Sequence, residues 1–592
     1  MRHFEDPRHP FLFDPYDGVF SPLARKRPEA GWPALFRAAL LELMPATWLG
    51  QHYHPTLGRP TKELYSLAGL LFLQENFDWT NADAVDAYLF RSDVQFALNL
   101  TPGVDELCER TLERYRKLFI EDDLAARTMH AVTARLVELL ELDIGRQRLD
   151  STHVFSAMAC FGRTRLLGVT VKRFLVQVKR HAPAAYEALP EPVRQRYAPS
   201  VGRLFSQKRQ SGEQRAKTLQ QVAEDARDLI DRFAADESMA GRPSYQSLAR
   251  AFADHCEIVA DKVKVRPKAN ADSMQNPSDP DASYDGLKGQ GYKLQISETC
   301  GEGEGQLIVG ALAQTASAHD ANALKPMLEQ LQEWELLPES MMADTAYGSD
   351  DNVRAAEALG VELASPVAGP KGDGNASAES DAKPGPEPLS IDDFAVDERT
   401  GKVEACPAGR IPLRVICGAE SETTAVEMKA EYCNGCEFVD ACPVRKKGEK
   451  FEASYTDKQR RLEGRRREQQ TEAFQERYAK RSGMEGTNGG LKRRMGLGKL
   501  RVRGMKAVAH ALYLRVAGWN ALRAVRSGKL MAEVREILAR RGLGGPAGAA
   551  KGAGEGVFGP SGAWEPFGEV CVWAFRPMRE APRSGIALRL AG

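Results

Sequence analysis

The stretch YAKRSGMEGTNGGLKRR near the C-terminal end of the chain places one acid among several bases at helical spacing. At about 100° per residue, offsets of 0, 3, 7 and 14 fall on one narrow stripe of a helix. The residues at these offsets are Tyr478, Arg481, Glu485 and Lys492. On its own this pattern is also typical of a solvated helix face held by ion pairs. A functional interpretation therefore needs partner carboxylates from other parts of the chain.

Two isolated aspartates supply such partners. Asp150 in RQRLDSTHV and Asp344 in SMMADTAYG each follow a short apolar or mixed run that predicts a strand. Either one alone is more typical of a turn or capping aspartate than of a metal ligand. If the two strands lie side by side and parallel, the two acids meet, and a bound metal ion offsets their repulsion. Together with Glu485 they form a set of three carboxylates suited to two divalent metal ions.

The spacing Tyr478-x2-Arg481-x3-Glu485-x6-Lys492 resembles the signature around the third acid of DDE insertion-sequence transposases. Asp150 and Asp344 resemble the first two acids, and the similarity extends from about residue 45 to about residue 525. The group numbered eleven eighty-two fits best. Its members resemble this chain in an InsH-type helical N-terminal domain, in DST or DGT at the first acid, and in a cysteine cluster before the last acid.

The resemblance implies an enzyme that acts on double-stranded DNA. It would bind terminal inverted repeats and catalyse strand cleavage and strand transfer with two Mg²⁺ or Mn²⁺ ions, as a homodimer or a larger assembly on DNA. Asp150, Asp344 and Glu485 would hold the metals. Arg481, Lys492 and Lys288 would grip phosphates, the last within a stretch that resembles the family's KG-x2-Y-K-x-Q segment. Tyr478 would stack on a base or orient Glu485, with covalent attack by its hydroxyl as a rival role.

Composition gives no separate argument for nucleic acid. The chain of 592 residues contains 81 Lys plus Arg and 81 Asp plus Glu, so its formal net charge is zero. Basic runs cluster late, however, in VRKKGEK, QRRLEGRRR, LKRR and KLRVRGMK, and suggest phosphate binding or a solvated helix face. The sequence shows no signal-peptide core and no apolar run long enough for a membrane span. We therefore expect a cytoplasmic, nucleoid-associated protein without a membrane partner.

The order of patterns predicts an α/β (α+β) multidomain fold. Its centre would be a ribonuclease-H-like mixed sheet, in which the first predicted strand is followed by a hairpin, a helix and a last strand. The predicted parts are a helical N-terminal DNA-binding domain (1–141), the catalytic core (142–160, 266–366 and 455–525), a helical insertion (161–265), a disordered linker (367–392), a cysteine-rich zinc insertion (393–454) and a largely disordered C-terminal tail (526–592).

Two local patterns bear on DNA binding. Short N-terminal helices ending in the basic helix CERTLERYRKLF fit a helix-turn-helix-like unit, or alternatively a plain packing or dimerisation domain. Its basic residues are Arg110, Arg114, Arg116 and Lys117. The glycines of GTNGG, directly after Glu485, are poor helix formers and predict that Glu485 lies near a helix end.

Half of the ten cysteines crowd between Cys406 and Cys442. A C-x2-C pair with two further cysteines suits a tetrahedral structural zinc site, with a redox pair or plain reduced thiols as alternatives. The resemblance favours Cys406, Cys433, Cys436 and Cys442 as ligands, which leaves Cys417 spare.

Two other functions remain compatible with the sequence. One is a metal-dependent nuclease that cuts DNA without joining it. The other is an inactive, transposon-derived DNA-binding protein. The presence of all three acids argues against the inactive protein, whereas a C-terminal tail outside the resemblance keeps it open.

Overall fold

The computed structural model describes residues 1–10, 12–103, 106–205, 211–302, 305–368, 389–397, 402–417 and 423–543. Within these ranges the chain is a mixture of helices and sheet.

The N-terminal region is helical, as predicted, and polar side chains cap the starts of two of its longer helices. The Glu63 carboxylate accepts hydrogen bonds from two backbone N–H groups of one helix, and Thr80 forms a capping box with Asp83 at the next. Such caps satisfy the free N–H groups of a helix start. The helices are α1 (Pro22–Glu29), α2 (Trp32–Leu35), α3 (Ala46–Gly50), α4 (Leu64–Asn76), α5 (Asn81–Phe90), α6 (Ser92–Ala97), α7 (Glu109–Glu121) and α8 (Leu124–Leu140).

Helix α7 is the predicted basic helix, and it divides its cations between two environments. Three of the four are exposed. Arg116 instead turns inward and donates hydrogen bonds to the side chains of Gln74 on α4 and Asn81 on α5. Burial lowers the pKa of Arg116. This arginine therefore joins three helices, and only its neighbours remain accessible to a phosphate backbone.

Strand β1 (Arg146–Val154) opens the central sheet, and a helical insertion follows it. The insertion has a hydrophobic core of its own, where Phe174 meets Phe233 edge to face at 5.3 Å between ring centroids. Its elements are α9 (Arg163–His181), α10 (Pro183–Glu187), α11 (Glu191–Arg196), α12 (Gly212–Phe233), α13 (Glu237–Ala240), α14 (Pro243–His255), β2 (Cys256–Val259) and β3 (Lys262–Val265).

The central sheet has six strands in the order β4-β5-β1-β7-β8, with β6 also paired to β5. Strand β1 is antiparallel to β5 and parallel to β7, and β7 is parallel to β8. The predicted hairpin is present as β5 and β6, and the predicted helix before the last strand is α15. The remaining elements are β4 (Ser283–Asp285), β5 (Gly289–Thr299), β6 (Ile308–Thr315), α15 (Leu324–Glu333), β7 (Ser340–Ala343), α16 (Asp350–Glu357) and β8 (Glu362–Ala364).

The cysteine-rich segment forms a small antiparallel sheet in the order β11-β12-β14-β13. Most of the predicted linker, residues 369–388, lies outside the described residues. The elements of this unit are β9 (Ala395–Val396), β10 (Val403–Ala405), β11 (Arg414–Cys417), β12 (Thr423–Met428), α17 (Ala430–Cys433), β13 (Arg445–Lys447) and β14 (Lys450–Thr456).

The last part of the described chain is helical and closes the core. Its helices are α18 (Asp457–Glu468), α19 (Glu472–Ala479), α20 (Gly483–Arg494), α21 (Met505–Ala524) and α22 (Gly528–Arg540). Helix α21 packs against α4, α8 and β6, and Asn520 donates hydrogen bonds to Thr133 of α8 (3.1 Å) and to the carbonyl of Ile308 in β6 (2.7 Å). The N-terminal helices and the sheet therefore share one hydrophobic core. Within the described ranges, no helix combines the length and apolar character needed to cross a bilayer.

Helix α22 lies at the start of the C-terminal tail (526–592), which was predicted to be largely disordered. Leu530, Val534 and Leu538 recur at helical spacing and are buried. This apolar face packs on the N-terminal helices. The rest of the predicted tail, from residue 544, lies outside the described residues.

His510 of α21 is a buried histidine whose ring nitrogens have no hydrogen-bond partner within the described part of the chain. Its ring packs against Phe119 at 5.3 Å, and the Glu75 carboxylate lies 4.0 Å away. Burial lowers the pKa of His510 to about 4. Because this folded-state pKa lies below the value of about 6.5 for an unfolded chain, protonation of the ring opposes folding.

We expect the protein to lose stability through His510 as the pH falls from about 6.5 towards 4. The contribution is about 2 kcal/mol or more, from the size of the pKa shift. Carboxylates also titrate in this range, so the informative quantity is a difference between two proteins. Urea unfolding of the wild type and of His510→Met at pH 7.5 and 4.5 should show the smaller acid loss in the variant. Equal acid losses would contradict this account of His510.

Candidate active site

The structure brings Asp150 and Asp344 together across two parallel strands. In the pairing of β1 with β7, Leu149 lies opposite Ala343, and the two aspartates follow directly. Asp344 directly follows β7 and caps the next turn, where its carboxylate accepts a hydrogen bond from the Thr345 backbone N–H. The aspartates therefore lie at the point where the parallel pairing stops. Strand β1 itself continues to Val154 along β5, so Asp150 lies inside a strand. The prediction that Asp150 ends its strand is therefore wrong.

Arg481 is the cation that these two acids share. Its Nη2 lies 3.5 Å from a carboxylate oxygen of Asp150 and 3.4 Å from one of Asp344. The Asp150 side chain is 19% exposed and that of Asp344 48% exposed, so the pair faces an open edge of the sheet. The two carboxylates thus converge on the Arg481 guanidinium and stabilise a positive charge at this place.

The environment of Asp150 disfavours its negative charge unless a cation is near. Burial raises the pKa of Asp150, and the Asp344 carboxylate raises it further. The backbone N–H of Ser151 and the Arg481 guanidinium oppose this shift. A carboxylate whose pKa is raised by burial and by a second carboxylate is stabilised by a bound cation. Carboxylates with such raised pKa values are typical of functional sites.

The predicted helical stripe is interrupted between Tyr478 and Glu485. Tyr478 belongs to α19, Arg481 to a 3-10 turn over Lys480–Ser482, and Glu485 to α20. The expectation of one continuous helix is therefore wrong. Tyr478 still faces the site: its ring stacks on Phe474 at 5.7 Å, and burial raises the pKa of its hydroxyl.

Glu485 is exposed and is the third residue of α20. The predicted interruption of the helix at GTNGG is wrong, because α20 continues through these glycines to Arg494 and Glu485 lies near the start of the helix. Asn488, one turn later on the same face, donates a hydrogen bond from Nδ2 to the Asp150 carboxylate at 3.2 Å. The described residues contain no group of three or more His, Cys, Asp or Glu side chains arranged to hold a metal ion. The structure thus unites two of the three predicted acids and places Glu485 on the helix that crosses them.

The glycines after Glu485 lie inside α20 and allow close packing. A Cβ on Gly490 would come within 2.3 Å of the Trp519 ring on α21, whereas a Cβ on Gly486 would meet nothing within 4 Å. Both positions have helical backbone, so they form a matched pair.

Substitution of these two glycines should have opposite effects on stability. Gly486→Ala should stabilise the protein by up to about 1 kcal/mol, because alanine loses less backbone entropy in a helix. Gly490→Ala gains the same entropic stabilisation, but its methyl group overpacks the interface with Trp519, which lowers the free energy of unfolding by about 1–3 kcal/mol. We expect a raised midpoint of thermal unfolding for the first variant and a lowered midpoint for the second. A raised midpoint for both would show that Trp519 moves aside freely.

Lys288 and Lys492 add positive charge to this edge. Lys288 lies in the turn between β4 and β5, and Lys492 is in the last turn of α20. Burial and the charge of Lys288 lower the pKa of Lys492, and the Asp150 carboxylate opposes that shift. With Arg481, these two lysines place three cations around the acid pair.

Sequence reasoning missed two contributors to this edge. Asn488 follows Glu485 by three residues, so its helical position was readable. The second is Asp320, which forms an ion pair with Lys293 (3.0 Å) and accepts a hydrogen bond from the Ser151 hydroxyl (3.3 Å). Asp320 therefore joins the segment before α15 to the residue after Asp150. No local sequence pattern signals such a contact.

Several arginines of the basic run QRRLEGRRR are used inside the protein. Arg461 forms an ion pair with Asp350, and Arg465 donates hydrogen bonds to the backbone carbonyls of Gly348 and Ser365. Arg467 pairs with Asp393 of the cysteine-rich unit. These arginines of α18 dock two parts of the fold, so the run is not mainly a phosphate-binding surface.

The four predicted zinc ligands line one small cavity of about 30 Å³, together with apolar side chains such as Met428 and Phe451. Burial, followed by the neighbouring thiols, raises the pKa of Cys433 to about 11, and burial also raises that of Cys442. Cys417 lies apart on β11 and is exposed. The lining cysteines are Cys406, Cys433, Cys436 and Cys442. Because no metal-holding group is formed within the described residues, the structure gives zinc no direct support.

Comparison with known proteins gives one match. Residues 405–525 match the family model described as Transposase DDE domain. The matched range contains the cysteine-rich strands and helices α17 to α21, and hence Glu485 with its signature, but not Asp150 or Asp344. No curated protein and no solved structure matches the chain. Over these residues the chain is similar to transposase DDE domains, and the acid pair meets this matched segment in space through Arg481.

Proposed function

We propose that the protein binds the terminal inverted repeats of a transposable element and catalyses metal-dependent cleavage and strand transfer. The observation that carries this proposal is the convergence of Asp150 and Asp344 on Arg481. These acids come from segments far apart in sequence, and the segment that joins them lies within the transposase match. Transfer of two ends needs two sites, so we expect a dimer or a larger assembly on double-stranded DNA.

We further propose that the sheet is a ribonuclease-H-like core. Three antiparallel strands, β6, β5 and β1, are followed across the sheet by the parallel strands β7 and β8. The two acids lie on the central pair. This order, with a helix crossing the acids, supports the proposed core.

We propose that Asp150, Asp344 and Glu485 hold two Mg²⁺ or Mn²⁺ ions. Carboxylate oxygens are the ligands these hard cations prefer, and the acid pair already converges on a cation. Two such ions, when bound, supply an activated nucleophile and a stabilised leaving oxygen. In this assignment Asp150, which lies between Asp344 and Asn488 of the Glu485 helix, would contribute to holding both ions, whereas Asp344 and Glu485 would each hold chiefly one.

The other residues of the edge have binding and orienting roles. Arg481, Lys492 and Lys288 surround the acids and would bind phosphates on both sides of the scissile bond. Tyr478 would hold the neighbouring turn in place through its stacked ring. Because burial raises the pKa of its hydroxyl, it is poorly suited to covalent attack at neutral pH, which favours attack by water or a 3′-hydroxyl.

The proposal is tested by incubating the purified protein with Mg²⁺, a labelled DNA that carries the element's terminal repeats, and an unlabelled target DNA. We expect cut ends and labelled DNA joined to the target. Cleavage without joining would instead indicate a nuclease. Specific binding without metal-dependent cleavage would indicate an inactive DNA-binding protein. Either outcome would overturn the proposed transfer activity.

We also propose that the four cysteines of the small cavity bind a structural zinc ion. Their common cavity and mutual effects on pKa support this assignment. We expect about one zinc per chain by elemental analysis, lost in Cys433→Ser and retained in Cys417→Ser, the matched control outside the cavity. A lower unfolding midpoint should accompany the loss, since bound zinc stabilises the folded unit. Equal metal content in wild type and Cys433→Ser would reject the site.

A further inference from the structure

Glu298 is a buried carboxylate that the proposed chemistry does not use. It lies in β5 directly opposite Arg148 of β1, and its side chain is fully enclosed. A buried carboxylate is stable only when charged or polar partners surround it. The identity of these partners indicates what the residue does.

Each oxygen of this carboxylate accepts more than one hydrogen bond. Oε2 accepts from Arg148, at 2.8 Å from Nε and 2.6 Å from Nη2. Oε1 accepts from the Thr487 hydroxyl at 2.7 Å and from Arg523. Arg523 also donates to the carbonyl of Gln306 and to the Thr487 hydroxyl. One glutamate is thus held by two arginines and one threonine.

These partners belong to the elements that carry the candidate site. Arg148 is two residues before Asp150, on the same face of β1. Thr487 is two residues after Glu485 in α20. Arg148 also donates from Nη1 to the carbonyl of Lys480 at 2.8 Å, in the turn that holds Arg481. A single buried group therefore connects the strand of the first acid, the helix of the third acid and the turn of the shared cation.

Gly483 provides independent evidence for the closeness of this link. A Cβ at this position would lie 1.9 Å from Nη1 of Arg148. Only glycine allows the guanidinium to pass under the start of α20 and reach the Lys480 carbonyl. The sequence therefore accommodates the arginine at the junction between the turn and the helix.

We infer that Glu298 is a positioning residue that sets Glu485 and Arg481 relative to Asp150. This inference rests on the proposed function, because it assigns a role in a site that the three residues form. Catalytic groups must be held within about 0.5 Å of their working geometry, and a shift of about 1 Å can lower a rate about 100-fold. Helix α20 has glycine at four of its twelve positions, so few side chains dock it, and Thr487 with Glu298 adds a hydrogen bond to the packing of buried Met484 and Leu491.

The test uses Thr487→Val, which removes one hydrogen bond from the link and keeps the side-chain shape. Thr487→Ser restores the hydroxyl. Asp225→Asn is the matched control, since Asp225 is a buried carboxylate held by Arg196 and Tyr197 in the helical insertion, away from the site. Glu298→Gln is a second variant of the same contacts, and its cleavage rate is measured under conditions in which the variant is folded.

We expect Thr487→Val to lower the single-turnover cleavage rate about 10- to 100-fold at saturating DNA. Affinity for DNA should stay within about two-fold, because the phosphate-binding side chains are intact, and the Mg²⁺ concentration for half-maximal rate should rise. Thr487→Ser should recover most of the rate. Asp225→Asn should lower the unfolding midpoint without lowering the cleavage rate at temperatures where it is folded. A wild-type rate in folded Thr487→Val, or an equal rate loss in Asp225→Asn, would overturn the inference.

Amide hydrogen exchange without DNA separates failure of this inference from failure of the proposed function. If wild type cleaves no DNA, the proposed function fails, but exchange still tests the link. We expect Thr487→Val to speed exchange in residues 483–494 and to leave residues 212–233 unchanged, with the reverse pattern for Asp225→Asn. Unchanged exchange over 483–494 would mean that Glu298 does not hold α20.

Discussion

Replacement of Asp150 by asparagine should abolish metal-dependent DNA cleavage, with a rate loss of at least about 1,000-fold. Asp150 is the acid on which the other groups converge, since Arg481, Asp344 and Asn488 all lie against its carboxylate or exert charge on it. A metal ion contributes several kcal/mol of transition-state stabilisation, and about 4 kcal/mol corresponds to a factor of about 1,000. An amide has the shape of the carboxylate but lacks its charge. The measurement is the single-turnover rate with labelled terminal DNA and Mg²⁺.

The loss should occur without unfolding. The folded state raises the pKa of Asp150, so the charged carboxylate opposes folding at neutral pH and asparagine relieves that cost. We therefore expect an unfolding midpoint equal to or above that of the wild type. Asp351→Asn, at an exposed position of α16, is the matched control and should cleave normally. Residual cleavage above about a tenth of the wild-type rate in Asp150→Asn would remove this residue from the chemistry.

Replacement of Glu485 by glutamine should lower the cleavage rate about 100-fold, which corresponds to about 3 kcal/mol. The effect is smaller than for Asp150 because Glu485 is assigned chiefly to one metal ion. Its side chain is exposed, so stability should change by less than about 0.5 kcal/mol. Glu476→Gln, an exposed glutamate on α19, tests for a general effect of losing one surface charge. The same single-turnover assay measures both variants.

Two results would revise the role of Glu485. A rate within about two-fold of the wild type, while Asp150→Asn is inactive, would leave the aspartate pair as the metal ligands without the third acid. An equal loss in Glu476→Gln would assign the effect to surface charge along the helices. The selective loss in Glu485→Gln is the result that the three-acid account requires.

The parts of the fold that follow local patterns were predictable from the sequence. Apolar residues alternate with polar ones at Tyr292, Leu294 and Ile296, as is typical of a strand, and lie in β5, and Thr80, a residue type common at helix starts, caps α5. The pairing of Asp150 with Asp344 was predictable because short parallel strands place their ends at one edge. In each case the signal lies within a few residues, or follows from strand geometry alone.

The features that depend on tertiary contacts were not predictable. The turn at Lys480–Ser482 breaks a stripe that periodicity alone presents as one helix. Arg116 looks like its exposed neighbours in sequence, and only Gln74 and Asn81 make it a buried connector. The arginines of α18 likewise contact the loops after β7 and β8 and the cysteine-rich unit, through residues far from α18 in sequence. Charge patterns identify the cationic side chains but do not show which of them form ion pairs and hydrogen bonds within the protein.

The most direct test of the account is the position of the metal ions when DNA is bound. A crystal structure of the protein with a terminal DNA duplex and Mn²⁺, read by anomalous scattering, would place them. We expect two peaks, each about 2 Å from carboxylate oxygens, with Asp150 in contact with both and with Asp344 and Glu485 completing the shells. Arg481 should then contact phosphate in place of the two aspartates. Anomalous peaks away from these three acids, with Arg481 still between Asp150 and Asp344, would contradict the proposed site.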